Sequence, residues 1–168
     1  MRALDRRDEI FRIILNSNKA IKGLELAQIF HVTRQVIVKD IAILRASGKD
    51  IIATPEGYIY NKQLNRIKKI IAVNHNENDT VNELETVVKY GGIIEDVIIE
   101  HSIYGEIRAS LMIKNLHDLN KFIDKFNSNG NKPLSNLTNG VHLHTISADS
   151  EEEINLIEEE LKNRGFLL

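Results

Sequence analysis

The spacing of apolar residues changes period several times along this chain, and each change marks an element. Ile10, Ile13 and Ile14 stand at i, i+3 and i+4, the stripe of a helix facing a core, which predicts a helix from about Asp5 to Asn16. A shorter helix fits Gly23 to Phe30, with Leu26, Ala27 and Phe30 turned inward. Thr33 is placed to cap a third helix by accepting a backbone N–H bond from its first turn. Ile37, Ile41 and Leu44 form the inner stripe of that helix, and Gly48 supplies a left-handed stop. Asp50 to Thr54 and Gly57 to Tyr60 then read as two short strands around Pro55-Glu56.

The outer face of the third helix carries chemistry. At about 100° per residue, Gln35, Val38, Lys39 and Ala42 point away from the apolar stripe, with Arg34 in the first turn and Arg45 at the side. Gln and Arg make paired hydrogen bonds to base edges, and Lys serves phosphate. Thr33, Arg34, Gln35, Val38, Lys39 and Arg45 are therefore the candidate DNA contacts. Taken alone, such a face reads better as solvated polar surface. The order helix, helix, capped helix, Gly and hairpin within residues 1–60 reverses that, and predicts a winged helix-turn-helix.

Residues 61–168 show a different rhythm. Lys62 to Asn65 reads as a short polar connection, and Ile67 to Val73 as a strand. Val81, Leu84 and Val88 mark one helix face, ended by Gly91-Gly92. Ile93 to Glu100 and Ile107 to Ile113 are strands about a turn at Ser102 to Gly105. Asn115 caps a helix that buries Leu116, Leu119, Ile123 and Phe126, and Val141 to Ile146 is a further strand. Ser150-x-x-Glu153 is a capping box for a last helix with Ile154, Ile157 and Leu161 inward. The expected fold class is α+β, a winged helix-turn-helix followed by a ferredoxin-like β-α-β-β-α-β domain with an extra C-terminal helix. In that plan the first strand is central.

Gly140-Val141-His142-Leu143-His144-Thr145 is the most informative strand. Alternate side chains of a strand share a face about 6.6 Å apart, so His142 and His144 point the same way. Two converging imidazoles suit zinc, nickel or iron, although a lone His-x-His is more often incidental. His75, just past a strand, and Glu83, in the next helix, are candidates to complete such a site.

Composition narrows the rest. Residues 1–60 carry a net charge of +3 and residues 61–168 carry −5, within a whole-chain charge of −2. A basic front suits a polyanion as partner, if weakly. The absence of cysteine excludes disulfides, thiolate zinc sites and cysteine catalysis. Apolar runs are too short to span a membrane and the amino terminus lacks a signal-peptide core, so a cytoplasmic location is expected.

Two resemblances follow from these residues. Leu26-Ala27-x-x-Phe30-x-Val32-Thr33-Arg34-Gln35 with Asp40-Ile41-x-x-Leu44-Arg45-x-x-Gly48 resembles the helix-turn-helix of biotin-repressor-type bacterial regulators. Val73-x-His75, Glu83-Leu84, Asp96-Val97-Ile98-Ile99-Glu100-His101-x-x-Tyr104-Gly105-Glu106 and the His142/His144 strand resemble the three-histidine domain of bacterial niacin-responsive repressors. The resemblance implies a divalent metal, nickel or zinc, on His75, Glu83, His142 and His144. It further implies a homodimer that binds operator DNA and represses genes of NAD synthesis and niacin uptake, with nicotinic acid as co-repressor. Asn139 departs from the Gly-Gly pair familiar before this strand.

His101, Tyr104 and Arg108 are weaker candidates for effector contacts, while His31 and His117 read as a turn residue and a solvent-facing residue. An alternative function keeps the same ligands but makes the ion itself the signal. A metalloenzyme is disfavoured, because no general base accompanies the His-x-His strand and no His-x-x-x-His helix occurs.

Overall fold

Inward apolar stripes draw the first three helices around one small core. The computed structural model describes residues 2–61, 66–128, 130 and 132–168, so the expected connection at Lys62 to Asn65 lies outside the described residues. The chain divides into two compact units, Met1–Gln63 and Leu64–Leu168.

In the first unit, α1 (Ala3–Asn16), α2 (Gly23–Phe30) and α3 (Arg34–Ala46) are followed by a hairpin of β1 (Ile51–Thr54) and β2 (Gly57–Tyr60). Ile10, Ile14, Leu26, Ile37, Ile41, Leu44 and Ile51 form its core, with Phe30 packed at the margin. Ile21 exchanges backbone hydrogen bonds with Tyr58, which lengthens the hairpin sheet by one bridge. That approach requires Gly57: a Cβ there would collide with the Ile21 backbone.

The second unit runs β3 (Ile67–Asn74), α4 (Thr80–Lys89), β4 (Ile93–His101), β5 (Gly105–Ile113), α5 (Leu116–Ser128), β6 (Val141–Ala148) and α6 (Glu151–Asn163). Single 3-10 turns, Glu77–Asp79 and Leu134–Thr138, precede α4 and β6. The expected element order holds, but the position of the first strand is corrected. The sheet order is β3-β6-β4-β5, with all neighbours antiparallel, so β3 is an edge strand. Burial explains the choice. β4 and β6 are almost continuously buried, whereas the first half of β3 is exposed and carries Lys68 and Lys69, which belong on an edge. The free side of β3 is partly closed by the C-terminal segment, through Asn74 N–H to Phe166 O and Leu168 N–H to Ala72 O.

Helices α4, α5 and α6 cover one sheet face over Ile71, Val73, Ile94, Ile146, Leu84, Val87, Leu119, Ile154, Ile157 and Leu161. The buried side of α4 is turned from the expected one: Glu83, Leu84, Thr86 and Val87 face inward, while Val81 is 39% exposed. A wholly apolar stripe was the wrong guide there, because the helix spends two inward positions on polar residues. On α5, Leu116 was expected inward and is exposed, and the inner stripe begins at Leu119. The cap at Asn115 holds, accepting from Asp118 N–H at 3.0 Å. At α6 the Ser150 hydroxyl accepts from Glu153 N–H at 3.2 Å, and Glu153 reaches back to Asp149 N–H at 2.9 Å.

Candidate functional site

Register brings the histidines together. His142 and His144 project from β6 onto the helix-covered face and are buried, beside Val73 and Ile71 of β3. His75 follows β3 immediately, so its chain position carries it to the same end of the sheet. Glu83 descends from α4 and is entirely buried. His75 Nε2 lies 2.8 Å from Glu83 Oε2, His142 Nε2 lies 3.6 Å from the same oxygen, and His144 Nε2 lies 3.2 Å from Oε1. Ligand atoms of His75, Glu83 and His142 fall within 4.8 Å of one another. The rings pack edge to face, at 4.9 Å for both His75–His142 and His142–His144.

The other ring nitrogens set the chemistry. His75 Nδ1 lies 2.8 Å from Asn76 O, His142 Nδ1 lies 2.8 Å from Gly140 O, and His144 Nδ1 lies 2.5 Å from Asp96 O. A carbonyl oxygen only accepts, so each Nδ1 carries a proton, and in the neutral ring each Nε2 presents a lone pair to the carboxylate. With neutral rings, these acceptors crowd the Glu83 carboxylate in a buried space, His75 and His142 at Oε2 and His144 at Oε1, and Oε1 has no well-formed hydrogen bond. Such a space requires protons on Nε2 or a cation between the groups. Three imidazoles fixed through Nδ1 to backbone carbonyls, with one carboxylate, match the donor set and support of zinc or nickel sites.

The proton form leaves its mark on the titrations. Burial pushes Glu83 toward the neutral acid, but the charge on His144 and the three imidazoles beside the carboxylate outweigh it and hold the carboxyl well below its ordinary range. Burial pulls His75 down, and its bond to Glu83 more than reverses this, so the imidazole titrates above 6.5. His144 behaves alike, with burial outweighed by the Glu83 charge and by the bond to the Asp96 carbonyl.

Two supporting features were not foreseen. Asp96 sits where β4 slips by one residue against β6, between Ile94 and Ile98. From there its carbonyl accepts a hydrogen bond from His144 Nδ1–H and its carboxylate accepts one from Thr145 N–H at 2.8 Å. Gly140, at φ +95°, passes so close to His75 that a Cβ would collide with the His75 carbonyl. Asn139 takes φ +53°, a left-handed conformation that Asn tolerates, so its departure from glycine leaves the strand entry intact.

The weaker effector candidates stand apart from this cluster. His101 Nδ1 accepts from Ile103 and Tyr104 N–H at 3.2 and 3.4 Å, at the tip of the β4–β5 hairpin. Arg108 is bound by Asp96 at 2.9 Å and Glu106 at 3.3 Å. A cavity of about 830 Å³ opens beside His75, lined by Asn74, Asn76, Lys132, Asn136 and Gly140 among others. Another, of about 760 Å³, joins Ser102 and Gly105 of the hairpin to His142.

In the first unit, Thr33 caps α3 by accepting from Val36 N–H at 3.4 Å. Arg34, Gln35, Val38, Lys39 and Arg45 are exposed together on that helix, and His31 closes α2 in a left-handed conformation. Asp40, unforeseen as a contact, faces inward and takes Arg6 Nε at 2.7 Å and Arg7 at 3.6 Å, tying α1 to α3. Among the described residues no helix is long and apolar enough to cross a membrane.

Comparison with known proteins agrees with both halves. An HTH domain family matches residues 6–59 and the 3H domain family matches residues 68–168. The probable transcription repressor NiaR of Thermotoga maritima is 42% identical, over 98% of this chain and 94% of its own. The transcription repressor NadR of Bacillus subtilis is 38% identical, over 98% and 93%. With this architecture over nearly its whole length, the chain belongs to the 3H-domain transcription repressors, DNA-binding regulators rather than enzymes.

Proposed function

We propose that this repressor controls genes of NAD synthesis and niacin uptake, with nicotinic acid as co-repressor sensed beside one divalent ion per chain. Residues 61–168 form the sensing part and residues 1–60 the DNA-binding part. The reading is carried by one observation, the convergence of three Nε2 atoms on the buried Glu83 carboxylate with each Nδ1 committed to a carbonyl. Nickel or zinc held by His75, Glu83, His142 and His144 would supply an open coordination position for a carboxylate or a pyridine nitrogen. Lys132 lines the cavity at His75 together with Asn74, Asn76 and Asn136, and its ammonium can attract such an anion. His101, Tyr104 and Arg108 are assigned a lesser part, at the hairpin bordering the other cavity.

Thr33, Arg34, Gln35, Val38, Lys39 and Arg45 contact the operator, and a cytoplasmic homodimer reads a palindrome with half-sites near whole helical turns. The ligand tightens DNA binding only if it favours the DNA-competent dimer arrangement. A second reading makes the ion the signal and uses the same four ligands. Operator binding with and without nicotinic acid, in loaded and chelator-stripped protein, separates them. Tightening by nicotinic acid in loaded protein alone supports the first reading, and tightening by metal alone supports the second.

A further inference from the structure

The outward face of α3 holds an apolar residue, beside Gln35 and Lys39, that phosphate contacts and paired hydrogen bonds do not use. Val38 is 42% exposed there, among exposed Arg34, Gln35, Lys39 and Ala42. A β-branched apolar residue gains nothing from water on a helix surface, and Ala or Lys would form the helix better. The inner face is complete without it, since Ile37, Asp40, Ile41 and Leu44 supply the buried positions.

We propose that Val38 reads the C5-methyl group of a thymine, next to the base pair addressed by Gln35. This rests on α3 being the DNA-reading helix, as proposed above. Thymine is the one base whose major-groove edge carries an apolar group, so an exposed Val selects it by contact rather than by hydrogen bonding. Gln35 and Val38 are three residues apart, a rise of about 4.5 Å and a turn of roughly 60° about the axis. DNA steps by about 3.4 Å per base pair along a strand, so the two side chains address adjacent pairs. Gln is suited to the N6 and N7 edge of adenine. Each half-site should then hold an adenine opposite Gln35 and a thymine methyl one step away, within reach of the Val38 methyls. The small side chain of Ala42, one turn further along the same face, leaves room for that methyl.

The operator sequence is itself an outcome of the test. The whole chain, supplied with nickel and nicotinic acid, selects sites from a randomised DNA pool, and thymines of the selected site are replaced singly by uracil, which lacks only the methyl. The expected result is one thymine per half-site whose replacement weakens binding by roughly 3- to 5-fold, about the effect of one buried methyl group. In Val38→Ala, which raises helix propensity and so does not unfold α3, that position should lose both its preference and its sensitivity to uracil. An unchanged thymine column and an unchanged uracil penalty in Val38→Ala overturn the proposal, as does a selected site without a sensitive thymine. If Gln35→Ala also leaves every column unchanged, then α3 is not the reading helix and the underlying assignment fails as well.

Discussion

His75 Nε2 lies 2.8 Å from the Glu83 carboxylate, a contact made by the end of β3 with a residue buried on α4. Without metal the pair is held by protons, and the linkage has a definite sign. His75 and His144 titrate above 6.5 in the folded chain, so their contribution is full below 6.5 and is lost as pH rises through the raised values. Glu83 titrates well below 4.5, so its contribution is present above 4.5 and is lost only as pH falls through that lowered value. Chelator-stripped protein should therefore melt at a lower temperature at about pH 8 than at about pH 6. An ion competes with those same protons, so loaded protein should show the opposite slope. Identical slopes with and without chelator, in calorimetry across that range, would count against the site.

The metal assignment predicts close to one divalent ion per chain. His144→Ala removes a nitrogen already aimed at Glu83 Oε1 from 3.2 Å and should cost most of the bound metal. His117→Ala, on the exposed surface of α5, is the control and should cost none. Elemental analysis after dialysis decides this. Equal metal in all three proteins would place the ion elsewhere.

Gly140→Ala should act on the same site through the backbone. Its φ of +95° and the collision with the His75 carbonyl force the entry to β6 away from β3, and Asn74 Oδ1 stands only 2.8 Å from the added Cβ. A loss of about 2–4 kcal/mol is expected. Metal affinity should fall with it, because Gly140 O holds the His142 ring. A variant as stable and as metal-rich as the parent would show that the strand entry adapts freely.

How far these sites could be read from sequence depends on whether a residue's role followed periodicity. The His142/His144 pairing follows from strand alternation, and α3 with its Thr33 cap and polar outer face follows from helical spacing. The strand permutation did not follow, because placing β3 at the edge depends on the greater burial of β4 and β6. Asp96 escaped notice because it acts through its carbonyl at a register slip, which side-chain patterns do not encode. Asp40 escaped because it looks like one more polar residue on a polar helix. The signal was available: it falls between Ile37, Ile41 and Leu44 on the inner side, where a carboxylate needs a cation, and α1 offers Arg6 and Arg7.

Asp40 gives a prediction for the DNA-binding unit. It is 2% exposed and takes both arginines, so Asp40→Ala strands two guanidinium groups at the α1–α3 contact. A destabilisation of about 2–4 kcal/mol is expected, with weaker operator binding through misplacement of α3. Metal content should not change, since the ligands belong to the other unit. Unaltered melting and operator binding would mean that the pair is incidental.

The last prediction concerns coupling between the two units. A co-repressor response requires two sites and one shared equilibrium, and typical couplings of ~1–3 kcal/mol correspond to roughly 5- to 150-fold tightening of operator binding. Nicotinic acid should produce a factor in that range with the intact, metal-loaded chain. In His142→Ala the factor should fall toward one, because the ring bound to Gly140 O and facing Glu83 is gone. Weak binding to arbitrary DNA should survive in that variant, since it depends on phosphate contacts from the basic first sixty residues and not on the site at Glu83. Reciprocity adds a condition that a merely structural metal cannot meet: operator DNA must tighten nicotinic acid binding by the same factor. Calorimetric titration of nicotinic acid with and without operator measures this directly. If the ligand strengthens operator binding equally in the parent and in His142→Ala, the metal holds the domain together and the effector binds elsewhere. If only added metal strengthens it, the ion is the signal.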